Sequence, residues 1–511
     1  MSELTVCAPL AFEAWALRRG LAGSGGGIRV VRTGYGPKRA AAAAVRIAAS
    51  SPDMLAVAGV GGGLTDDLQV GDIVVASQVT DGTTTVECGS AALLAGELRR
   101  AGLRVQTGPI ATIDRLLRSG QHSELAATGA IAVDMESAPL LAGAAGIPAV
   151  VIRAISDTPG RPVVSPSIVT GGIAALRSLR QAAPALARWA AAVGPRQVLL
   201  ASPRSFCAGV ERAIEIVELA LEQYGAPVYV RKQIVHNATV VADLEQAGAI
   251  FVDELSEVPD GANVVFSAHG VSPEVRTEAA RRGLATVDAT CPLVAKVHAE
   301  ARRFASDGYL VALIGHAGHE EVEGTLGEAP ASMALVESVA DVGRMQPADP
   351  SKVAYLMQTT LAADEAAGIV SAITDRFPSA TGPGSDDICY ATTNRQRAVR
   401  AIAAESDLVL VAGSANSSNS QRLVETAERA GTKAYLVDRA EDIQLDWLVG
   451  TKAIGIAAGA SAPPAIVGQI VAALSGLGEV RTKDVVVATE SVQFGLPKEL
   501  RQRSAGSADD N

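Results

Sequence analysis

The sequence predicts an α/β protein built from more than one packed unit, and three observations lead to this expectation. The chain has 511 residues, which is too long for one core at roughly 100–200 residues per domain. Short, continuous apolar runs rich in β-branched residues recur along it and predict parallel strands that are covered on both faces. Ala-rich segments separate these runs, and 50 glycines with only 3% aromatic residues are typical of closely packed helices and sheets.

The predicted elements alternate between strand and helix along the chain. The runs that predict strands are MLAVAGV at 54–60, AVVIRAI at 149–155, QVLLAS at 197–202, NVVFSA at 263–268, LVALIG at 310–315 and LVLVAG at 408–413. Helical stretches fall between them, for example at 207–224, 273–282 and 294–307. This order indicates βαβ units throughout.

A domain boundary is expected between residues 184 and 196. The helix-like segment PALARWAAA ends at Val193-Gly194-Pro195, and a new strand begins at Gln197; a Gly-Pro pair ends a helix and sets a turn. The C-terminal RQRSAGSADDN is small and polar, which is typical of disorder. We therefore predict one domain at 1–193, a second at 196–500 and a disordered tail at 501–511.

The composition excludes several classes of protein. The 44 Lys and Arg against 55 Asp and Glu leave a net charge of −11, which argues against a nucleic-acid or anionic membrane partner. No apolar run reaches about 18 residues without a break, so no transmembrane helix is expected, and the N-terminus lacks the basic start of a signal peptide. Five cysteines are too few for a disulfide framework. A cytoplasmic protein with reduced thiols is expected.

Three cysteines of the second half lie in similar contexts. Cys207, Cys291 and Cys389 each follow a strand-like or turn segment and open a helix-like one, at separations of 84 and 98 residues. A thiol at such a helix start favours the thiolate and suits a metal ligand. The paired C-x2-C spacing of zinc sites is absent from the sequence. Three thiolates could instead hold three irons of a [4Fe–4S] cluster and leave the fourth open; three buried structural cysteines remain the alternative.

The histidines of the second half strengthen this interpretation. His236, His269 and His319 each come just after a strand-like segment, and such positions are expected to converge on one pocket. Imidazoles together with Ser and Asn donors can bind a diphosphate without a basic patch. His298 falls in the charged segment KVHAEARRF and is expected to be solvated, whereas the role of His316 is left open.

Polar clusters follow three further strands. They are QTT at 358–360, GSANSSNSQR at 413–422 and AAGASAPP at 457–464. Ser417, Ser418 and Asn419 precede a helix, where side chains and backbone amides could cradle phosphate oxygens; a plain Ser/Asn loop is the alternative. Glu321 lies two residues past His319, where a carboxyl could pass protons to a leaving hydroxyl.

From about residue 197 to 498 the sequence resembles the 4-hydroxy-3-methylbut-2-enyl diphosphate reductase family. The matching segments, in order, are PRSFCAGVERAI, YVRKQIVHN, FSAHGVSPEVR, DATCPLVAKVH, GHAGHEEVEGT, DDICYATTNRQ, GSANSSNS and GASAP. The resemblance implies three similar α/β lobes around a central [4Fe–4S] cluster. It also implies reduction of the hydroxylated diphosphate to isopentenyl and dimethylallyl diphosphate, the last step of the methylerythritol phosphate route, with ferredoxin or flavodoxin as electron donor.

The same resemblance implies roles for individual residues. The cluster ligands would be Cys207, Cys291 and Cys389. The diphosphate would be held by His236, His269, Ser417, Ser418, Asn419 and Ser461. The residues around the substrate hydroxyl would be His319, Thr359 and Glu321, with Glu321 as the proton donor.

The first half resembles the nucleoside phosphorylase and nucleosidase superfamily, and the hopanoid-associated phosphorylases in particular. The segments that carry this resemblance are TGYGPKRAAAAA at 33–44, GVGGGLTDDLQVGDIVVAS at 59–77 and AVDMESAPLLAGAAGIPAVVIRAISDTPG at 132–160. It implies that Glu136 binds the ribose hydroxyls, that Asp157 protonates the departing purine, that Glu13 positions a nucleophile and that Gly36 lies in a phosphate-binding turn.

Two questions about the first half stay open at the level of sequence. A phosphate-binding arginine in a matched context is missing, although Lys38 and Arg39 are near, so either phosphate or water could be the nucleophile. The alternative to a second enzyme is a non-catalytic module for nucleoside binding or oligomerisation. A nucleoside ligand and a homo-oligomer formed through residues 1–193 are the partners that this resemblance allows.

Overall fold

The computed structural model describes residues 3–117, 121–144, 146–159 and 168–501, so residues 502–511 of the predicted tail lie outside the described residues. The chain divides into two compact units. The first comprises Met1–Val198, Arg439–Ala453 and Gly468–Thr482, and the second comprises Leu199–Asp438, Ile454–Val467 and Lys483–Asn511. Within the described ranges, no helix combines the length and apolar character needed to cross a bilayer. The α/β class predicted from the sequence is confirmed in both units.

An eight-stranded sheet forms the core of the first unit. Its strands are β1 Leu4–Ala8, β2 Ile28–Arg32, β3 Met54–Gly63, β4 Ile73–Thr80, β5 Thr85–Glu87, β6 Val105–Thr112, β7 Ala132–Asp134 and β8 Ala149–Asp157. The order is β2-β1-β3-β7-β6-β4-β5, with β8 paired to β3 in parallel and to β4 in antiparallel fashion. The helices are α1 Ala11–Gly20, α2 Pro37–Ala49, α3 Ala91–Arg100, α4 Gln121–Ala126, α5 Ser137–Ala142 and α6 Ile168–Ala192.

Helix α6 anchors this unit, because its apolar face packs on α1, β3 and β8. Trp189 of α6 is fully buried, and its indole N–H donates to Ser90 Oγ at 2.9 Å. Such a partner lets a large aromatic side chain enter a core without leaving its polar atom unpaired.

The remaining elements follow the same strand–helix alternation. The strands are β9 Arg196–Ser202, β10 Val228–Arg231, β11 Ala249–Val252, β12 Asn263–Phe266, β13 Ala285–Asp288, β14 Leu310–Ile314, β15 Met333–Val336, β16 Val353–Met357, β17 Leu408–Ala412, β18 Ala434–Val437, β19 Ala453–Ala458 and β20 Val480–Val486. The helices are α7 Ala208–Tyr224, α8 Ala238–Gln246, α9 Pro273–Arg281, α10 Pro292–Ser306, α11 Glu320–Leu326, α12 Val339–Val342, α13 Ala363–Arg376, α14 Tyr390–Ala403, α15 Ser418–Arg429, α16 Leu445–Leu448, α17 Pro464–Ser475 and α18 Lys498–Arg501. Two 3-10 turns lie at Leu255–Glu257 and Ala440–Asp442.

Three separate sheets organise the second unit into three lobes. Their orders are β11-β10-β12-β13, β15-β14-β16 and β18-β17-β19-β9-β20. The first two sheets and the β18-β17-β19 part of the third are parallel. Helices pack on these sheets and form separate apolar cores. The predicted arrangement of three similar α/β lobes is therefore confirmed.

Candidate active site

One pocket of the second unit gathers every side chain that the sequence predicted for a site there. Its lining includes Cys207, His236, His269, Cys291, His319, Glu321, Thr359, Cys389, Ser417, Ser418, Asn419 and Ser461. These residues come from loops and from the first turns of α11 and α15, most of them near the carboxyl ends of strands, in all three lobes. Ligand sites of open parallel sheets form at this edge, which is why residues so far apart in sequence meet here.

The three cysteines lie where the chain passes from one lobe to the next. Cys207 joins β9 to α7, which packs on the β10–β12 sheet; Cys291 joins β13 to α10, which packs on β14 and β16. Cys389 follows the β14–β16 lobe and precedes α14, whose apolar face packs in the β17 core. Each cysteine is the residue immediately before its helix. The repeated crossover brings three helix N-termini, with their partial positive charge, to one centre.

The three sulfur atoms are close together. A Cβ atom added to Gly209 would lie 2.8 Å from Cys291 Sγ and 3.8 Å from Cys207 Sγ. Cys389 Sγ accepts a hydrogen bond from Thr392 N at 3.4 Å and lies 3.2 Å from Thr392 Oγ1. Burial raises the pKa of the Cys291 thiol to about 12 and that of the Cys389 thiol to about 11, and the neighbouring thiols act in the same direction. Clustered buried thiols with raised pKa values become thiolates when a cation neutralises them, so this donor set fits a metal cluster.

Three imidazole rings form the wall next to the cysteines. His236 and His269 are stacked with ring centroids 4.1 Å apart, and His319 lies edge-on at 5.7 Å and 5.8 Å from them. Burial lowers the pKa of His236 to about 3 and that of His319 to about 4, with a further contribution from the neighbouring rings. These two rings are therefore neutral near pH 7 and act as hydrogen-bonding groups rather than fixed cations.

Glu321 and Thr359 form a hydrogen-bonded pair in the lining of the pocket. Thr359 N donates to Glu321 Oε1 at 2.7 Å, and Thr359 Oγ1 donates to Glu321 Oε2 at 2.9 Å. Glu321 is 2% exposed, and burial raises the pKa of its carboxyl despite these two hydrogen bonds. Thr359 O also accepts from Cys389 N at 3.1 Å. A carboxyl that holds its proton more tightly than usual thus sits beside the three thiols.

The start of α15 and the loop before it supply further hydroxyl and amide groups to the pocket. Ser417 precedes the first turn of α15 and accepts from Ser420 N at 3.3 Å. Ser461 Oγ donates to the backbone oxygen of His236 at 3.1 Å and lies 3.3 Å from Ser417 Oγ. Asn419 Oδ1 accepts from Ala460 N at 3.2 Å. These contacts tie the serine loop of the third lobe to the imidazoles of the first.

Sequence reasoning missed several residues of this region. Glu320 Oε2 lies 3.0 Å from His269 Nδ1, and Thr360 and Thr392 line the pocket. A charged residue directly next to two predicted site residues was the available signal for Glu320. Thr360 belongs to the QTT cluster, and Thr392 is one helical turn from Cys389.

The prediction that His298 is solvated is wrong. His298 is 2% exposed, and its Nδ1 lies 2.8 Å from Glu328 Oε1. The buried residues of α10 include Val294, Val297 and Ala301, and a residue at position 298 falls on the same face at helical spacing. The charged residues next to His298 in the sequence lie on other faces of the helix. The local composition therefore led to the wrong prediction that His298 is exposed.

A second polar cluster lies in the first unit and contains Glu13, Gly36 and Glu136. Glu13 of α1 accepts from Leu10 N at 2.7 Å and Val60 N at 2.8 Å. Gly36, with a φ of +88°, donates its N–H to Glu136 Oε1 at 2.9 Å. Burial raises the pKa of both carboxyl groups.

Arg153 of β8 is the cation at the centre of this cluster, and sequence reasoning did not select it. It is fully buried: its Nε donates to Asp134 Oδ2 at 2.8 Å, its Nη2 donates to Ser137 Oγ at 2.9 Å, and Glu136 Oε2 lies 3.8 Å away. A charged residue in the middle of the apolar run AVVIRAI was the signal, because such a residue is buried only with a partner.

Glycines of β3 make room for these side chains. A Cβ atom at Gly59 would lie 2.6 Å from Arg153 Nη1 and 2.9 Å from Glu13 Oε1, and one at Gly62 would lie 3.1 Å from Asp157 Oδ2. Asp157, the last residue of β8, is 8% exposed, and burial raises its pKa. All four residues predicted for the first unit are therefore buried. Glu13 and Glu136 lie beside Arg153, Gly36 donates to Glu136, and Asp157 lies four residues further along the strand that carries Arg153.

Comparison with known proteins gives a match for each half of the chain. The family model described as LytB protein matches residues 198–475, and that of the phosphorylase superfamily matches residues 8–188. The chain is 59% identical over 314 residues to 4-hydroxy-3-methylbut-2-enyl diphosphate reductase 2 of Mycobacterium bovis, covering 61% of this chain and 95% of that protein. It is 57% identical over 308 residues to the reductase of the same name from Streptomyces coelicolor, covering 60% and 91%.

A solved structure agrees with these matches. The E-1-hydroxy-2-methyl-but-2-enyl-4-diphosphate reductase from Plasmodium falciparum is 38% identical, with a TM-score of 0.58, and the alignment covers 60% of this chain and 97% of that one. The resemblance of the second half to the diphosphate reductases and that of the first half to the phosphorylase superfamily are confirmed.

Proposed function

Since the chain belongs to the LytB protein family, we propose that its second unit reduces (E)-4-hydroxy-3-methylbut-2-enyl diphosphate to isopentenyl and dimethylallyl diphosphate. One observation carries this proposal: three sulfur atoms, three imidazoles and the Glu321–Thr359 pair share a single pocket. The 59% identity to a reductase of this name supports the choice of substrate. The reaction breaks one C–O bond, consumes two electrons and two protons, and releases the oxygen as water.

Cys207, Cys291 and Cys389 would hold a [4Fe–4S] cluster in this pocket. When bound, the cluster supplies an open iron as a Lewis acid and delivers electrons that arrive singly from a ferredoxin or flavodoxin. Three protein ligands match a cluster with one free position. Thr392 adds a hydrogen bond to the Cys389 sulfur, and such bonds stabilise the thiolate form of a ligand.

The histidines and serines would hold the diphosphate. His236, His269 and the segment of Ser417, Ser418 and Asn419 line the same pocket. Neutral donors suffice here, because each phosphate oxygen can accept several N–H and O–H hydrogen bonds. This arrangement explains how a protein with a net charge of −11 can bind a polyanion.

Glu321 would deliver the proton to the departing oxygen. Its raised pKa favours the protonated carboxyl. Protonation of Oε2 reverses the hydrogen bond that the Thr359 hydroxyl gives to the carboxylate, so that Oε2 donates to Thr359 Oγ1 and the Thr359 hydroxyl donates to the substrate oxygen. His319 lies next to this pair: its Nδ1 accepts from Glu321 N at 3.1 Å, so the other ring nitrogen remains for the substrate.

Anaerobic turnover by the full chain tests this proposal. We expect the chain, reconstituted with iron and sulfide and supplied with a one-electron reductant, to convert the hydroxylated diphosphate into both isoprenoid diphosphates. Product is identified by mass spectrometry after dephosphorylation. Absence of both products, with an intact cluster, would refute the assigned reaction.

For the first unit we infer cleavage of the N-glycosidic bond of a purine nucleoside by water. The observation that favours this second function is the state of the polar cluster. The Gly36 N–H is used by Glu136, and the Arg153 guanidinium is engaged by Asp134 and Ser137. A phosphate dianion bound here would lie near the carboxyl groups of Glu13, Asp134 and Glu136, and Arg153, the cation at the centre of this cluster, is already engaged. A water molecule meets no such repulsion, and Glu13 can accept a proton from it.

The test measures release of base by the full chain from purine nucleosides, with and without phosphate. We expect phosphate-independent release that yields free ribose, and its loss in Asp157→Asn but not in the exposed control Asp66→Asn. Release that requires phosphate contradicts hydrolysis. Nucleoside binding without any release of base supports the non-catalytic alternative.

A further inference from the structure

We propose that Gln358 is a positioning residue that orients the hydroxyl group of Ser418 as a hydrogen-bond donor to the substrate's diphosphate. The inference rests on the proposed reductase function and adds to it a residue outside the predicted set. Gln358 follows β16 in the second lobe, is 1% exposed, and reaches Ser418 of the third lobe through Thr360.

The direction of this chain of hydrogen bonds is fixed at its start. His316 N donates to Gln358 Oε1 at 3.1 Å, and a backbone N–H has no other role than donor. Gln358 Oε1 is therefore an acceptor, and the amide nitrogen on the other side of the group must be a donor. The contact with His316 N therefore identifies which terminal atom of the Gln358 side chain is Oε1 and which is Nε2.

The following links inherit that direction. Gln358 Nε2 donates to Thr360 Oγ1 at 2.7 Å, and Thr360 Oγ1 lies 3.1 Å from Ser418 Oγ. Gln358 Nε2 also points toward Ser418 Oγ at 3.5 Å. Thr360 Oγ1 accepts from Gln358 and, in the geometry of this pair, donates its own proton to Ser418 Oγ. Ser418 Oγ thus receives donors from within the protein, and its proton is left for a group in the pocket.

This polarity suits an anion. A phosphate oxygen accepts and cannot donate when ionised, so it binds a serine hydroxyl only if the serine proton is available. A serine whose proton were used by the protein would present lone pairs to the diphosphate and repel it. The buried Gln358 amide therefore determines whether Ser418 presents its proton or its lone pairs to the ligand, although Gln358 itself does not line the pocket.

The substitution Gln358→Glu reverses the polarity with almost no change in shape. The new carboxylate still accepts a hydrogen bond from His316 N, but it cannot donate one to Thr360. The Thr360 hydroxyl therefore donates to the carboxylate and accepts from Ser418. The proton of Ser418 is then no longer available to the ligand. We expect the dissociation constant for inorganic diphosphate and the KM for substrate to rise roughly tenfold, the usual effect of losing a hydrogen bond to a charged group. The value of kcat is expected to stay within about twofold.

Gln396→Glu is the matched control. Gln396 is also 1% exposed in the same unit, and its Nε2 donates to Leu361 O at 3.1 Å. A carboxylate at position 396 has a similar burial cost, but this position does not belong to the chain of hydrogen bonds that leads to Ser418. We expect its affinity for diphosphate to equal that of the wild type.

The decisive measurement is a double-mutant cycle on the cluster-loaded full chain, read by calorimetry with inorganic diphosphate. If Gln358 acts through Ser418, Gln358→Glu has no further effect in a Ser418→Ala background. Effects that multiply in the double variant, or unchanged affinity in Gln358→Glu, would overturn the proposal. Should Gln358→Glu not fold, Thr360→Val breaks the same chain without a charge and is tested in the same cycle. Wild-type protein that binds diphosphate but yields no isoprenoid product leaves this test valid and refutes the proposed reaction instead.

Discussion

Glu321 is the residue to which we assign proton transfer in the pocket. It is almost completely buried, it accepts both hydrogen bonds that Thr359 offers, and it lies beside the backbone that carries Cys389. Its charged form loses hydration on burial, and this cost outweighs the stabilising hydrogen bonds, so its pKa is raised. Such a group keeps a proton to donate at higher pH than an ordinary glutamic acid does.

Glu321→Gln is expected to keep the cluster and to lose turnover. The amide preserves the size of the side chain and one acceptor oxygen but cannot transfer a proton, so kcat is expected to fall at least about 100-fold. The measurement is anaerobic kcat together with iron content. Unchanged kcat would remove Glu321 from the role of proton donor.

The pH profile gives an independent check of the same group. Because the folded protein raises the pKa of Glu321 above its ordinary value, the carboxyl stays protonated to higher pH than a free glutamic acid. As the pH rises through that raised pKa the donor is lost, so kcat is expected to fall on the alkaline side. The same limb is expected to be missing from the residual activity of Glu321→Gln.

Gly209 is the residue whose small size brings two ligand sulfurs together. A Cβ atom there would lie 2.8 Å from Cys291 Sγ, which is closer than real Cβ contacts allow, so Gly209→Ala must displace the sulfur. Metal sites require placement of their ligands to within about 0.5 Å, and we expect the variant to retain roughly half or less of the wild-type iron. Gly368→Ala, in helix α13 with open space around it, is the control and is expected to keep its iron.

The sequence was sufficient for most of the residues that face the pocket, although Thr360 and Thr392 were missed, and it was insufficient for those that support them. Residue type, position after a strand and family motif together selected twelve side chains that line one pocket. Glu320 and Gln358 act on side chains of other lobes, and spacing along the sequence does not reveal such contacts. Thr392 acts on Cys389 one helical turn away. His298 shows the reverse error, because its charged neighbours concealed its place on the buried face of α10.

At the level of elements, the even spacing of the cysteines follows from the repeated crossover between sheets. Each lobe takes a similar length of chain to build its sheet before the chain passes to the next, so a residue at each crossover recurs at 84 and 98 residues. The short apolar strands were predicted to within a few residues because they are buried and β-branched. Strands such as β5 and β7 of three residues each carry too little pattern to be predicted.

Strand β8 carries both Arg153 and Asp157, and the pairing of Arg153 is expected to dominate the stability of the first unit. Arg153→Leu leaves Asp134 and Glu136 buried without their cation, which typically costs about 3–5 kcal/mol. Arg29→Leu, which removes the exposed pair with Glu3, is expected to cost about 1 kcal/mol or less.

Tryptophan fluorescence measures this difference in the full chain. All three tryptophans, Trp15, Trp189 and Trp447, belong to the first unit, so denaturant titration followed by their emission reports its unfolding separately. Equal midpoints for the two variants would contradict the importance given to the buried pair.

At the scale of the whole molecule, the two units are not simple consecutive pieces of sequence. Residues 439–453 and 468–482 group with the first unit although they lie in the second half of the chain. Within that unit, Gly96 of α3 has no room for a side chain, because a Cβ atom would overlap the backbone oxygen of Glu441. Arg100 donates to the same oxygen at 3.0 Å. Sequence reasoning could not find this, since helix α3 and the segment at 439–453 carry no shared motif.

Gly96→Ala is expected to separate these segments and to lower the melting temperature of the first unit. Overpacking at a tight contact costs about 1–3 kcal/mol, which corresponds to roughly 5 °C in a unit of this size. Gly172→Ala lies in α6 with open space around it and is the control, for which an equal or higher melting temperature is expected. Tryptophan emission during heating measures both, and a Gly96→Ala transition at the wild-type temperature would argue against this contact.

The central claim is that three distant thiols hold one iron–sulfur cluster, and the most direct measurement is the iron and acid-labile sulfide content of the anaerobically reconstituted full chain. We expect about four irons and four sulfides per chain, loss of most of both in Cys291→Ser, and full retention in Cys88→Ser, whose thiol is buried in the first unit. A wild-type chain without iron and sulfide, or a Cys291→Ser variant that binds as much of both as Cys88→Ser, would contradict it.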